Sequence, residues 1–174
     1  MMKNKKYTKT VALVVIFLVI LSVILLINRN LNNKEANDEN SNYYDSFVSS
    51  VQTLNQTLAK IDENKKTDQL AVLMFDAYAS IIFVNDRLEL LKNNTSNPLD
   101  VDSLKNDLSL LQNYYEPLVR NQISNEHEMD FQTHNKLMEQ IHLFHNELPK
   151  KYENSKKFVQ QFNNAAGHIK SIVN

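Results

Sequence analysis

The sequence predicts an all-α protein, in which a single N-terminal transmembrane helix is followed by an exported antiparallel bundle of four to five helices. One observation is a continuous apolar run near the N-terminus, and another is a set of five later segments whose apolar residues recur every three or four positions. A third is the composition, with one Gly, three Pro and no Cys in 174 residues. This composition excludes glycine-rich phosphate loops, hairpin-dense β folds, disulfides and cysteine-ligated metals.

The apolar run covers residues 11–27, and a single serine interrupts it. A helix of this length is about 25 Å long, which approaches the hydrocarbon core of a bilayer at roughly 30 Å. The run is longer than a signal-peptide core of roughly 7 to 15 residues, and no small-residue cleavage motif follows it. We therefore assign residues 10–28 as an uncleaved signal anchor in contact with the lipid bilayer, marked by Val11, Phe17 and Ile27.

Charge predicts the orientation of this anchor. Four lysines precede the run without any acidic residue: Lys3, Lys5, Lys6 and Lys9. By the positive-inside rule, residues 1–9 form a short cytoplasmic tail of a single-pass protein of the cell membrane, and the rest of the chain lies outside. That exported part has 15 basic and 20 acidic residues, a formal charge of −5. An anionic domain is a poor partner for nucleic acid.

Beyond the anchor, residues 29–42 are polar and rich in asparagine, which predicts a tether that is too hydrophilic to pack. Residues 43–174 are predicted to form the bundle. The expected helices lie at about 43–63, 68–93, 100–121, 128–148 and 151–173. Pro117 is expected to kink or shorten the third helix, and Pro149 to end the fourth or to bend it into the fifth.

Each predicted helix carries a stripe of core candidates at spacings of three and four, the repeat of helices that pack side by side. The stripes are Phe47, Val51, Leu54, Leu58 and Ile61; Leu70, Met74, Ala77, Ile81, Val84, Leu88 and Leu91; Val101, Leu104, Leu108, Leu111, Tyr115 and Leu118; Phe131, His134, Met138, Ile141, His145 and Leu148; and Phe158, Phe162, Ala165, Ile169 and Ile172. The only glycine, Gly167, falls beside two alanines in the last stripe, which predicts close helix packing there.

The second helix is apolar on almost every side between residues 70 and 84, so a second membrane span is the alternative. Fifteen residues are few for a span, and an Asp at its centre, here Asp76, costs about 2.5 to 3.5 kcal/mol on insertion scales. We therefore predict the central helix of the bundle. Asp76 then shares a solvated stripe with Gln69, Ser80 and Arg87, the alternative being a buried functional carboxylate.

The histidine-rich fourth segment is where the sequence permits a metal. Glu139, His142 and His145 combine two imidazoles with a carboxylate, a ligand set that suits zinc or a similar ion. In the alternative interpretation His142 faces solvent, while His134 and His145 lie half-buried on the packing seam and loosen the bundle when protonated near pH 6.

No catalytic constellation and no cofactor motif is present in the sequence. Four lysines near the last helix, Lys150, Lys151, Lys156 and Lys157, are expected to form a solvated surface or, alternatively, to bind an acidic envelope polymer. The expected function is that of a non-enzymatic scaffold or accessory subunit, which binds another envelope or membrane protein or a second copy of itself. The alternative is a ligand or metal sensor with its site near His134, Met138, His142 and His145.

Overall fold

The computed structural model describes residues 4–94, 99, 101–121 and 129–170, and within them the only regular elements are α-helices. The helices are α1 (Asn4–Leu58), α2 (Thr67–Asn94), α3 (Val101–Asn121), α4 (Phe131–Glu147) and α5 (Lys156–Lys170). The all-helical fold class is thereby confirmed. The chain divides into two compact units, Met1–Glu39 and Asn40–Asn174.

The first unit holds the apolar run. Its described side chains are exposed, among them Ile27 at 52%. The Ser22 hydroxyl donates to the Leu18 carbonyl at 2.8 Å, so the one polar side chain of the run is satisfied within its own helix. Lys3 lies outside the described residues, as do the side chains of Lys5, Lys6, Lys9, Val11 and Phe17.

Two stretches of the described chain are apolar enough to bear on membrane insertion. Thr67–Lys92 is the one helix long and apolar enough to cross a membrane by length and composition, and Leu18–Arg29 is a shorter apolar stretch. The span at residues 10–28 and its orientation stay predictions.

The segment predicted as a tether is helical, because α1 continues through residues 29–42. The expectation that it is too hydrophilic to pack is wrong at its end, where Asn40 is buried and its amide donates to the Tyr152 hydroxyl at 3.5 Å. Helix formation is cooperative, so a polar segment between two strongly helical ones continues the helix at little cost.

The second unit is a helical bundle with one continuous hydrophobic core. The first stripe is buried throughout, the second except for half-buried Leu70, and the third except for half-buried Leu118. In α5 the buried positions are Phe158, Phe162, Ala165, Ala166 and Ile169, while Ile172 lies outside the described residues.

The predicted stripe of α4 is half-buried at Phe131 and Met138, and the half-buried position expected of His145 is correct. Leu137 and Phe144 are buried, whereas Met138 and His145 are half-buried. The Phe144 ring packs edge-on against Phe47 at a centroid distance of 6.3 Å. Burying Leu and Phe stabilises the fold more than burying Met and a polar imidazole, so the helix turns toward that pair.

Long-range contacts set the helix directions. Lys92 pairs with Asp102, and Glu89 pairs with Lys105 at 2.6 Å, so α2 and α3 run in opposite directions. Tyr44 and Phe158 have ring centroids 5.0 Å apart, and those of Phe47 and Phe162 are 5.9 Å apart. These contacts place the bundle part of α1 alongside α5 in the same direction.

The two prolines act differently. Helix α4 ends at Glu147, and Leu148 adopts φ −56° and ψ 139°, the extended conformation favoured before a proline. Pro149 therefore ends α4, and α5 begins only at Lys156, where the Ser155 hydroxyl accepts from the Phe158 amide at 3.1 Å. Pro117 lies within α3, which continues to Asn121, so the expectation of a shortened helix is wrong.

The expectation of close packing at Gly167 is also wrong. Gly167 is exposed, and a Cβ built there meets nothing within 4 Å. Ala165 and Ala166 form the buried side of α5 instead.

Candidate functional site

Helix α2 carries large apolar side chains on the side that faces away from the core. We call Val72, Phe75, Ile82, Phe83 and Leu90 the outer face of α2. Val72, Phe75 and Phe83 are 61%, 58% and 59% exposed. Soluble surfaces seldom expose a contiguous group of this kind unless it binds something.

The opposite side of α2 belongs to the core. Met74, Ala77, Ile81, Val84 and Leu88 are fully buried there. In the described chain α2 packs against α3 on this side. The sequence predicts α2 as the central helix of the bundle with one solvated edge; in the described chain its exposed side also carries large apolar side chains.

The charged side chains of α2 fall into two groups. Near its C-terminus the charges are satisfied: Lys92 pairs with Asp102, and the hydrogen bond from Lys105 lowers the pKa of the Glu89 carboxyl. Asp76 and Asp86, beside the outer face, are exposed and have no ion-pair partner among the described residues.

This exposure decides the prediction for Asp76. The solvated position is correct, and the alternative of a buried functional carboxylate is wrong. Gln69 and Arg87 are exposed as expected, whereas Ser80 of the same predicted stripe is buried.

A groove of about 290 Å³ borders the outer face. Most of the residues that line the groove carry a hydroxyl group. The lining consists of Ser46, Ser49, Ser50, Thr53, Ser80, Phe83 and Arg87. The Ser50 hydroxyl donates to the Phe47 carbonyl at 2.7 Å, and the Thr53 hydroxyl donates to the Ser49 carbonyl at 3.0 Å. The groove thus supplies a polar margin beside an apolar centre, the usual arrangement of a protein interface.

The candidate metal ligands do not come together. In the part of the chain that is described, no group of three His, Cys, Asp or Glu side chains is placed to hold a metal ion. His142 Nδ1 lies 3.4 Å from the Asn55 amide nitrogen, and its Nε2 lies 2.9 Å from that of Asn146. A neutral imidazole accepts at only one ring nitrogen, so one of these amide groups donates to His142. His142 thus lies among polar side chains of α1 and α4.

His134 is fully buried rather than half-buried as expected. Its Nδ1 lies 2.7 Å from the Tyr115 hydroxyl, while its Nε2 faces the backbone of Leu58 and Ile61 without a hydrogen bond of good geometry. Burial lowers the pKa of His134, and it raises the pKa of Tyr115 well above its usual range. The pair is thus a neutral polar link inside the core.

The residues predicted for ligand sensing do not line the cavity that lies among the described parts of α3, α4 and α5. The volume of this cavity is about 260 Å³, and its lining consists of Asp107, Leu110, Leu111, Tyr114, Thr133, Leu137 and Ile169. His134, Met138, His142 and His145 are not part of that lining. Its volume is below the roughly 300 to 1,000 Å³ usual for ligand sites.

The four lysines near the last helix are exposed: Lys150, Lys151, Lys156 and Lys157. They surround the connection between α4 and α5, whose Pro149 carbonyl accepts a hydrogen bond from buried Tyr44 at 2.5 Å. Their exposure fits the solvated surface expected of them.

No known protein-family model matches this chain, and neither a curated protein nor a solved structure is significantly similar to it.

Sequence reasoning missed the outer face of α2 as a candidate site. The signal is present, because positions 72, 75, 79, 82 and 86 repeat the spacing of three and four beside the core stripe. A helix with two apolar stripes does not reveal which of them its neighbours will cover, and that choice depends on the helices available to pack.

Proposed function

We propose that this protein is a membrane-anchored, extracytoplasmic helical bundle that acts through protein–protein interaction, as a non-enzymatic scaffold or accessory subunit. The contact surface is the outer face of α2. The observation that carries the proposal is the exposure of Val72, Phe75 and Phe83 on a helix whose opposite side is fully buried. Large aromatic side chains of this kind supply most of the affinity at protein interfaces.

The membrane location rests on the N-terminal run. Residues 11–27 are long enough to span with an almost unbroken apolar surface, and Ser22 satisfies its hydroxyl internally. The lysines before the run favour a cytoplasmic N-terminus and an exported bundle.

Helix α2 is the competing membrane segment, and its packing argues against insertion. Leu88 and Ile81 are fully buried in the bundle core, so insertion of α2 would remove its core side from that cluster. It would also carry Asp86 into the bilayer, together with Asp76, whose cost near the centre of a span is about 2.5 to 3.5 kcal/mol. Contact with a protein preserves the core and does not transfer these carboxylates into hydrocarbon.

Site-specific photo-crosslinking of the full-length chain in intact cells tests the proposal. A photoreactive phenylalanine replaces Phe83 on the outer face, and a matched control replaces exposed Lys136 on α4. We expect a discrete protein adduct from position 83 and none from position 136. Equal labelling at both positions, or none at either, contradicts the proposed function.

The orientation has a separate test, which the lack of native cysteine makes clean. Asn64→Cys is expected to react with a membrane-impermeant maleimide in intact cells, because Asn64 is exposed on the bundle. Lys5→Cys is expected to react only after the membrane is permeabilised. The reverse pattern contradicts the predicted topology.

A further inference from the structure

We infer that the outer face of α2 binds one amphipathic helix of another protein, and that this helix places Lys or Arg side chains against Asp76 and Asp86. The inference rests on the proposed function and names the chemistry of the partner.

The spacing of the outer face indicates a helical partner. Exposed or half-buried positions 72, 75, 79, 82 and 86 follow each other by three, four, three and four residues. From position 72 to position 90 the surface is about 27 Å long at 1.5 Å per residue, which matches five turns of a second helix. Four of these five positions are apolar, and apolar side chains with this repeat are the anchors of a helix-to-helix contact.

The carboxylates of this surface indicate the charge of the partner. Asp86 continues the seam, so a helix laid along Val72, Phe75 and Ile82 covers it. Asp76 lies beside the seam and remains at its margin. Covering an ionised carboxylate without a cation is costly, so the partner must bring one. Arg and Lys donate charge-assisted hydrogen bonds to carboxylates, and Arg does so with two parallel bonds.

Two simple registers of a second copy place no cation of the seam opposite Asp86. If the two α2 helices run parallel and in register, Asp86 meets Asp86 of the other copy. If they run antiparallel with position 79 opposite position 82, Asp86 lies opposite Phe75. Arg87, the nearest cation in sequence, lines the groove toward α1 instead of the seam.

A lipid surface is a poor occupant for the same reason. Asp76 and Asp86 are exposed along this side of α2, and anionic headgroups repel carboxylates. The two exposed carboxylates favour a basic helix as the partner.

The test uses the full-length chain in nanodiscs of zwitterionic lipid and two synthetic 21-residue helical peptides. Both peptides have the same Leu and Ile seam, and their flanking positions are Lys and Arg in one and Glu in the other. We expect the basic peptide to bind roughly tenfold more tightly than the acidic one, as measured by fluorescence anisotropy with empty nanodiscs as background. D76N/D86N is expected to remove this preference, and D76K/D86K to reverse it.

Control variants separate charge from fold. E63Q/E139Q removes two exposed carboxylates that lie outside α2 and is expected to keep the preference. F75S/F83S is expected to abolish binding of both peptides. Helix content measured by circular dichroism is expected to stay unchanged in every variant, since all the substituted side chains are exposed.

The inference and the proposed function fail separately. Equal binding of the two peptides, or binding of neither, overturns the inference and leaves the crosslinking result at position 83 to decide the proposed function. A crosslink at position 83 that joins two copies of this chain also overturns the inference, because the occupant is then a second copy. Retention of the preference in D76N/D86N has the same consequence.

Discussion

The two sides of α2 are nearly equal in hydrophobic character and opposite in their surroundings. Ile81 and Leu88 are fully buried, whereas Val72 and Phe83 on the other side are 61% and 59% exposed. Apolar side chains are buried only where another element covers them, and the second unit supplies cover for one side. A helix that is apolar on all sides can therefore lie at the centre of a bundle or present an interaction surface. Which of the two it does depends on how many of its sides the neighbouring helices cover.

The largest expected effect comes from truncating each side of α2 in turn. Leu88→Ala removes a fully buried side chain and is expected to lower the free energy of unfolding by about 2 to 5 kcal/mol. Phe83→Ala, on the outer face, is expected to change it by no more than about 0.5 kcal/mol. Thermal unfolding of the full-length chain in detergent, followed by circular dichroism, measures both. Comparable losses in the two variants would show that the outer face is covered within the bundle.

The sequence predicts the core of this bundle better than its surface. Stripes such as Phe47 to Ile61 and Val101 to Tyr115 are buried as predicted, because each helix has a single continuous apolar side. The prediction fails where two choices are chemically close. In α4 the buried positions include Leu137 and Phe144, which the predicted stripe leaves out, and in α2 two stripes compete for one core. Such choices depend on the shape of neighbouring helices, which local spacing does not encode.

A smaller effect is expected from His134, the buried histidine of α4. Burial lowers the pKa of His134 in the folded state, while the unfolded chain binds a proton near pH 6.5. Between these two pKa values the unfolded state binds more protons than the folded state. The free energy of unfolding is therefore highest above about pH 6.5 and declines as the pH falls. The decline is at most about 1.4 kcal/mol per pH unit.

Unfolding measured at pH 5, 6, 7 and 8 checks this slope. Asp62 and Asp130, whose pKa values hydrogen bonds lower, titrate below this range and do not contribute. His134→Gln is expected to remove the slope. His142→Gln, which changes an exposed imidazole, is expected to retain it. A slope that survives His134→Gln would assign the pH dependence to another group.

The smallest expected effect concerns the buried and exposed sides of α5. There a substitution on the exposed side is expected to raise the free energy of unfolding instead of lowering it. Gly167 lies on the exposed side of the helix, and a Cβ there meets nothing within 4 Å, so Gly167→Ala adds no clash. Alanine has the higher helix propensity and restricts the unfolded chain, so a stabilisation of about 0.5 to 1 kcal/mol is expected. Ala165→Gly, on the buried side of the same turn, is expected to destabilise by more, because it removes a packed methyl group as well. Parallel thermal unfolding of the two variants compares the signs directly. A loss of stability in Gly167→Ala would mean that this side of α5 is packed against another surface, as the alanine-rich sequence around it predicts.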